Sequence, residues 1–264
     1  MDLGLRDRSA LVSGSTAGIG FAIASGLAAE GAAVVINGRA QPRVDEAIAR
    51  LRRAHPGATV SGVAADLGSA DGAQRLADAV PSVDVLVNNV GIFEAKPFGE
   101  ITDAEWLGIF EVNVLSGVRL ARHYLPQMLE RNWGRVLFIS SESALQIPVE
   151  MIHYGVTKTA QLAVARGLAE LAAGTGVTVN SVLPGPTRSE GVVTFVEQLA
   201  RARGADIKSV ETEFFRTMRP SSLLRRFATP EEVAAMVVYL CSVRASATTG
   251  AAVRVDGGVV RAIV

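Results

Sequence analysis

The sequence is poor in the residues that cross-link small proteins or hold metals. It has one cysteine, Cys241, and three histidines among 264 residues. A single thiol can form neither an intrachain disulfide framework nor a cysteine-based zinc site. A chain of this length buries about three quarters of its unfolded surface without such a staple. No repeat or linker interrupts it, so we expect one domain over residues 1–264.

The sequence also lacks a charge excess and long apolar runs. Lys+Arg and Asp+Glu number 26 each, which gives a formal net charge of zero. A nucleic-acid-binding protein would show a strong basic excess, so no nucleic-acid partner is expected. The apolar runs are shorter than the roughly 20 residues that span a bilayer. The first residues carry charges where a signal peptide needs an apolar stretch. We therefore expect a cytoplasmic protein without a membrane partner.

What the sequence does contain is a regular alternation of strand-like and helix-like segments. The strand-like segments are short, rich in valine and apolar on both faces, which is typical of parallel strands covered on both sides. The pattern predicts an α/β fold with a single doubly wound, Rossmann-type parallel sheet and helices on both faces. The seven predicted strands are 9–14, 32–38, 58–67, 83–91, 134–143, 177–185 and 251–258.

One long stretch, 187–229, departs from this alternation. Two short amphipathic helices are predicted in it, at 192–200 and 213–218. Long irregular segments inside compact domains tend to be lids or binding loops, and this one follows the end of a strand, where α/β sheets bind ligands. We expect a helical substrate lid at about 187–229. Its basic excess favours an anionic substrate, and an ordered insertion at a subunit interface is the alternative.

The first strand is followed by the glycine-rich turn "SGSTAGIG", with glycines at 14, 18 and 20. Glycines at this place allow a tight turn and let the backbone approach a pyrophosphate. The helix that follows points its free amides at the same group. Glycines there can also serve a purely steric purpose. The spacing GxxxGxG differs from the commoner GxGxxG.

The second strand lacks an acidic residue at its end. No Asp or Glu occurs between Gly31 and Val44, Gly38 has no side chain to offer, and Arg39 follows it. An acid here binds the ribose 2′-hydroxyl of NAD, whereas an arginine accommodates the 2′-phosphate of NADP. The sequence therefore favours NADP(H). A solvated Arg39, or one that stacks on adenine of either cofactor, is the alternative.

Seven short motifs in order resemble those of the short-chain dehydrogenase/reductase family, over roughly residues 6–258. They are "GSTAGIG", "AADL", "NNVG", "VNV", "ISSES", "YGVTK" and "PGPT". The resemblance implies catalytic residues Asn113, Ser141, Tyr154 and Lys158. It implies cofactor contacts from Gly14, Ser15, Thr16, Gly18, Ile19, Gly20, Arg39, Asp66, Leu67, Asn88, Gly91, Tyr154, Lys158, Pro184, Gly185 and Thr187. It further implies that Lys158 binds the nicotinamide ribose and that Asn113 holds a water.

The spacing of Tyr154 and Lys158 gives this resemblance a chemical meaning. Positions i and i+4 share one helix face, and a nearby ammonium favours the phenolate and lowers its pKa. Tyr154 would then exchange a proton with the substrate oxygen, while the Ser141 hydroxyl stabilises charge on that oxygen. The expected reaction interconverts a carbonyl and a secondary alcohol of a small molecule by hydride transfer.

Two other functions are alternatives to this reaction. A catalytically inactive nucleotide-binding regulator would keep the glycines and lose the Tyr–Lys pair. A methyltransferase would show an acidic ribose-binding residue after the second strand. The substrate stays open among ketoacyl thioesters, sugars or polyols, and steroid-like compounds. Glu142, Gln146 and His153 are polar candidates near it, although His153 could simply be packed.

The segment after Lys158 also predicts self-association. Residues 159–173 carry few polar side chains, whereas a helix lying on a sheet should show a wide polar face. The helix within 114–130 is the expected neighbour. Family resemblance points to paired helices across a two-fold axis, and a homotetramer is expected.

Overall fold

The computed structural model describes residues 2–190, 192–193, 200–201 and 206–263. Its strands form one sheet in the order β3-β2-β1-β4-β5-β6-β7, and every neighbouring pair is parallel. The predicted fold class is therefore confirmed. The strands are β1 Ser9–Val12, β2 Ala33–Gly38, β3 Val60–Ala64, β4 Val85–Asn88, β5 Gly134–Ile139, β6 Val177–Pro184 and β7 Ala252–Val255.

Helices cover both faces of this sheet. Alternate residues of β1 show why, since Ala10 and Val12 belong to one buried apolar cluster and Leu11 to the other. Both faces of the strands are therefore buried, as their continuous apolar sequences predict. The described helices are α1 Gly18–Ala29, α2 Gln41–Ala54, α3 Ala70–Ala79, α4 Asp103–Phe110, α5 Ser116–Glu130, α6 Ile152–Leu171, α7 Ile207–Thr217 and α8 Pro230–Cys241.

Strand order reverses at β1, which lies between β2 and β4. Connections from the two halves leave the sheet in opposite directions there, and a crevice opens at the carboxyl ends of the strands. The glycine-rich turn after β1 lies at this reversal. The fold thus places the first predicted motif beside the turn that follows β4.

Several strands end earlier than their apolar runs predicted. β3 ends at Ala64 rather than residue 67, and β5 at Ile139 rather than residue 143. Polar side chains take over the backbone just beyond these points: Asp66 Oδ1 accepts from Gly68 N at 3.0 Å, and Ser141 Oγ accepts from Ser143 N at 3.1 Å. Such local bonds compete with the sheet ladder. Asp66 and Ser141 therefore lie on loops just past the strands.

The described part of the segment 187–229 contains a helix and a small apolar cluster. Helix α7 begins at Ile207, earlier than the predicted 213, because Asp206 caps it by accepting from Ser209 N at 3.0 Å. Phe215 and Phe227 pack with their centroids 5.1 Å apart in an apolar cluster separate from the two main ones. The predicted helix at 192–200 falls largely outside the described residues.

None of the helices in the described part of the chain is long and apolar enough to cross a membrane.

Candidate active site

The glycine-rich turn brings backbone amides close to the crevice. Gly14 and Gly18 have φ angles of +60° and +55°, which favour glycine. A Cβ on Gly20 would lie 2.5 Å from Gly14 O, so the turn could not pack against α1 with a larger residue. Ala17, the residue just before α1, has no side-chain oxygen that could cap the helix. The first backbone amides of α1 are therefore free, and together with the glycine-rich turn they fit a dinucleotide pyrophosphate.

Ser15 supports this turn from below. Its hydroxyl donates to Val12 O at 2.6 Å and accepts from Asn37 N at 3.0 Å. Ser15 is fully buried, so it fixes the turn, whereas its neighbour Thr16 lines the crevice. Sequence reasoning missed Asn37. Its side-chain amide accepts from Gly14 N and donates to Ala65 O, and so joins the turn to the residue just after β3.

The crevice on the β2–β3 side encloses about 620 Å³. It is polar at its rim and bare where β2 ends. A Cβ on Gly38 would lie 2.5 Å from Thr16 Cγ2, which leaves no room for a side chain at that position. The sequence-predicted residues on this side are Gly14, Thr16, Arg39, Asp66, Leu67 and Gly91. Their arrangement fits the adenosine half of a dinucleotide.

The "NNVG" turn places its second asparagine beside the glycine-rich turn. Asn89 Nδ2 donates to Ser13 O and Gly14 O, both at 3.0 Å. Asn88, the residue predicted from the sequence, is the buried last residue of β4, and its side-chain nitrogen and oxygen have no hydrogen-bond partner. Asn89 faces the crevice and Asn88 does not. The repeated asparagine gave no signal to tell the two apart.

Asn113 lies in a single π-helical turn, Glu111–Leu115, between α4 and α5. Such turns are frequent at functional sites. Its side chain accepts from Ile92 N at 2.8 Å and donates to Ile92 O at 2.9 Å and Thr157 Oγ1 at 3.0 Å. Its carbonyl accepts from Gln161 Nε2 at 2.6 Å. Asn113 therefore holds the loop after β4 against α6.

A second cavity, of about 480 Å³, lies at the carboxyl ends of β5 and β6. Ser141 follows β5, while Tyr154 and Lys158 project from the first turns of α6. Pro184, the last residue of β6, also lines this cavity, together with Gly185 and Thr187, which follow the strand. A Cβ on Gly185 would lie 2.5 Å from Asp256 O, so only glycine fits. Ile19 also lines this cavity, and Gly91 lines both the cavity and the crevice.

Lys158 is buried, and its ammonium donates to Ile139 O at 3.0 Å and Gln161 Oε1 at 3.3 Å. Burial lowers the pKa of Lys158 to about 8, because a low dielectric disfavours the charged form. Its Nζ lies 5.5 Å from the centroid of the Tyr154 ring. The predicted shared face of the two residues is present.

The pKa of Tyr154 is raised above its ordinary value, mainly by burial. The hydrogen bond with Ser141 and the charge of Arg219 lower it, and the charge of Glu142 raises it. The sequence argument expected a lowered value from Lys158. The structure shows the opposite balance, because burial of the phenol outweighs the cationic contribution. The protonated phenol, which can donate to a carbonyl oxygen, is the form that this environment favours.

The remaining polar candidates have different places. His153 is buried with Nδ1 unpartnered and lies edge-on to Trp106 at 5.9 Å, so it is packed rather than exposed to the cavity. Gln146 is exposed. Glu142 is buried in the cavity wall, and it touches Ser141 and Arg219. Sequence reasoning missed Arg219, since a lone arginine in an irregular segment carries no signal.

The rest of the cavity wall is mainly apolar. Side chains from four separate segments form it: Phe93, Met151, Phe214, Met218 and Phe227. Among the residues that the structure describes, no group of three or more His, Cys, Asp and Glu side chains could hold a metal ion. The arrangement offers a proton donor, a hydroxyl and an ammonium beside an apolar compartment.

Comparison with known proteins finds reductases, oxidoreductases and dehydrogenases. Residues 14–260 match the family model described as "Enoyl-(Acyl carrier protein) reductase". The chain is 49% identical over 263 residues to the uncharacterized oxidoreductase YvaG of Bacillus subtilis, with both chains covered completely. It is 32% identical over 258 residues to D-beta-hydroxybutyrate dehydrogenase of Cupriavidus necator, covering 96% of this chain and 98% of the other.

A similar solved structure is L-sorbose reductase from Gluconobacter frateurii complexed with NADPH and L-sorbose. It has a TM-score of 0.95 and 32% identity, and both chains are covered completely. The fold, the dinucleotide crevice and these likenesses define an NAD(P)-dependent oxidoreductase. The chain belongs to the short-chain dehydrogenase/reductase family.

Proposed function

We propose that this protein interconverts a carbonyl and a secondary alcohol with NADP(H), and that Tyr154 is the general acid and base. The observation that carries the proposal is the convergence of Ser141, Tyr154 and Lys158 on one cavity, next to the crevice that fits a dinucleotide. When bound, the nicotinamide cofactor supplies or accepts the hydride. The protein's part is to orient the reactants and to move the proton.

The proton has a short path in this geometry. In reduction, the Tyr154 phenol donates to the substrate oxygen as negative charge develops there. Ser141, hydrogen-bonded to that phenol, stabilises the same oxygen. Lys158 holds the α6 face to the end of β5 through Ile139 O, and we assign it to the nicotinamide ribose. The residues proposed to hold the cofactor are those of the glycine-rich turn, Asp66, Leu67, Gly91 and Pro184 to Thr187.

Replacing Tyr154 with Phe tests the assignment. Tyr154→Phe keeps the ring and removes the proton donor, so kcat should fall by about 10²–10⁴-fold. NADPH binding, followed by enhancement of cofactor fluorescence, should change little. A variant that keeps more than a third of the wild-type kcat would exclude Tyr154 as the acid and base. NADPH binding by a wild type without turnover on any carbonyl would instead favour an inactive nucleotide-binding regulator.

The pH dependence provides the control for this variant. Because the pKa of Tyr154 is raised, reduction should stay level from neutral to alkaline pH, where the phenol remains protonated. Oxidation needs the phenolate, so its kcat should climb with pH over the same range. A reduction rate that falls through neutral pH would contradict this environment for the phenol.

Arg39 is the residue we propose to select NADP(H). It is exposed at the rim of the crevice, directly after Gly38. A guanidinium pairs well with a phosphate. Arg39→Ala should therefore remove most of the preference for NADPH over NADH, measured as the ratio of kcat/KM values. Arg43→Ala, which removes another exposed arginine nearby, should leave that ratio unchanged. A wild type that prefers NADH would show this proposal to be wrong.

The cavity argues for an uncharged substrate rather than the anion suggested by the basic excess of 187–229. Glu94, Glu142 and Glu150 line it, and Arg219 already contacts two of these carboxylates. A keto sugar, a ketoacyl thioester and a larger apolar ketone each present an uncharged carbonyl, and a polyol is the alcohol that reduction of such a sugar would give. Screening these classes with NADPH separates them.

We propose that the segment 187–229 covers the cavity as a lid. In its described part, Phe214, Met218, Arg219 and Phe227 line the cavity. Closure over the reactants would exclude water from the reaction. Hydrogen exchange of peptides within 206–225 should slow when NADPH and substrate bind. Strong and equal protection with and without ligand would favour a fixed insertion instead.

We further propose a homotetramer in which α6 forms part of an interface. One stripe of this helix is apolar and exposed: Val156, Ala163, Gly167 and Leu171. Leu171 is 65% exposed, and Leu107 on the neighbouring α4 is 72% exposed. Light scattering at micromolar concentration should give four times the chain mass, and Leu171→Arg should lower it. A monomeric wild type would refute the assembly.

A further inference from the structure

Glu142, which follows the proposed catalytic serine directly, is a buried carboxylate with an unusual set of partners. Its Oε2 accepts from the Ser141 hydroxyl at 2.5 Å and from Ser143 N at 3.0 Å. Its Oε1 accepts from Arg219 Nε at 3.0 Å. Glu142 is 5% exposed and Arg219 8%. A charged group so deeply buried would be costly without these donors.

Arg219 reaches this carboxylate from a different part of the chain. It lies just after α7, and like Phe214 and Met218 before it in the chain it lines the cavity. Its Nη1 contacts Glu150 Oε1 at 3.4 Å and Met218 O at 2.9 Å, and its guanidinium lies 6.0 Å from the Phe214 ring centroid. The arginine is thus held by several partners.

These contacts determine which way the serine hydroxyl points. A distance of 2.5 Å to a carboxylate is typical of a strong, charge-assisted O–H donor bond. Ser141 therefore donates to Glu142, and its oxygen accepts from Ser143 N at 3.1 Å. A serine in this state can accept a hydrogen bond from the Tyr154 phenol but cannot donate one to a substrate oxygen. To donate there, the hydroxyl must leave Glu142.

Pairing with Arg219 weakens the carboxylate as a competing acceptor. Part of its charge is balanced by the guanidinium, and one of its oxygens is occupied. Stability alone does not require this pair, because apolar residues of similar size often stabilise a fold at least as well as a buried ion pair. Glu142 directly follows Ser141, one of the proposed catalytic residues. The charges of the pair therefore act close to the reacting groups.

We propose that Glu142 and Arg219 are positioning residues that control the hydrogen bonding of Ser141 and the proton affinity of Tyr154, with Arg219 supplied by the segment that covers the cavity. This inference rests on the proposed function. The charge balance around the phenol is then complete only when residues 218–219 lie against the β5 loop. Neither residue needs to touch the substrate.

The charged groups that face Glu142 have opposing effects. Arg219 from the covering segment is the cation in direct contact, and Lys158 approaches the Tyr154 ring from α6. Glu150, before α6, is an anion on the far side of Arg219. Removing the cation leaves Glu142 uncompensated, which raises the pKa of the Tyr154 phenol, whereas neutralising Glu142 lowers it.

The test is a double-mutant cycle with Arg219→Met, Glu142→Gln and the double variant. Arg219→Met should lower kcat about tenfold or more and shift the pH profile of alcohol oxidation to higher pH by about one unit. Glu142→Gln keeps an acceptor for Ser141, so it should change kcat less and shift the profile to lower pH. The double variant should recover to within about threefold of Glu142→Gln, because no uncompensated charge remains.

Arg216→Met is the matched control, since Arg216 lies three residues before Arg219, in the last turn of α7, but is exposed and pairs with Glu213. It should leave kcat and the pH profile unchanged. Circular dichroism and NADPH binding of each variant report folding. If Arg219→Met fails to fold, Glu142→Gln and Arg219→Lys carry the test, with the lysine expected to restore the pH profile.

Two results would overturn the inference while the proposed function stands. Strictly additive losses with an unshifted pH profile would make the pair structural. A rise in KM for the carbonyl without a change in kcat would make Arg219 a substrate-binding residue. A wild type without carbonyl reduction would instead contradict the proposed function itself.

Discussion

The parallel direction of every strand is the constraint on which the site depends. Because β1, β4, β5 and β6 run the same way, their carboxyl ends meet at one edge of the sheet. Residues that are distant in the chain, such as Gly14, Ser141 and Gly185, lie around one pair of cavities as a result. The apolar side chains of these strands pack into two clusters, one on each face of the sheet.

A second layer of contacts holds the loops that follow these strands. The side chain of Asn113 clamps the backbone of Ile92 and reaches Thr157 on α6. Gln161, one turn further along that helix, bridges the Asn113 carbonyl and the Lys158 ammonium. In the π-helical turn, the Asn113 carbonyl is directed toward α6, where it accepts from Gln161. These bonds locate Lys158 more tightly than its own flexible side chain could.

The cavity combines this rigid edge with a segment that the sheet does not fix. Phe214, Phe215 and Phe227 belong to an apolar cluster separate from the two main ones, so the described part of the segment has a local core. Backbone bonds from Leu223 and Leu224 to Gly257 and the buried ion pair between Arg219 and Glu142 join it to the rest of the molecule. Cavity shape and cavity charge therefore depend on the same contact.

The sequence by itself determined the fold class, the glycine-rich turn and the Tyr154–Lys158 face, because each follows from local periodicity or from spacing within one element. It did not distinguish Asn88 from Asn89, since the two are identical neighbours at the end of β4 and only the packing of the turn decides which side chain faces the crevice. It gave the wrong sign for the pKa of Tyr154, because burial depends on residues remote in the chain. The partnership of Glu142 with Arg219 joins positions 77 residues apart. Only the tertiary structure decides such contacts, because they depend on how separate segments close around one cavity.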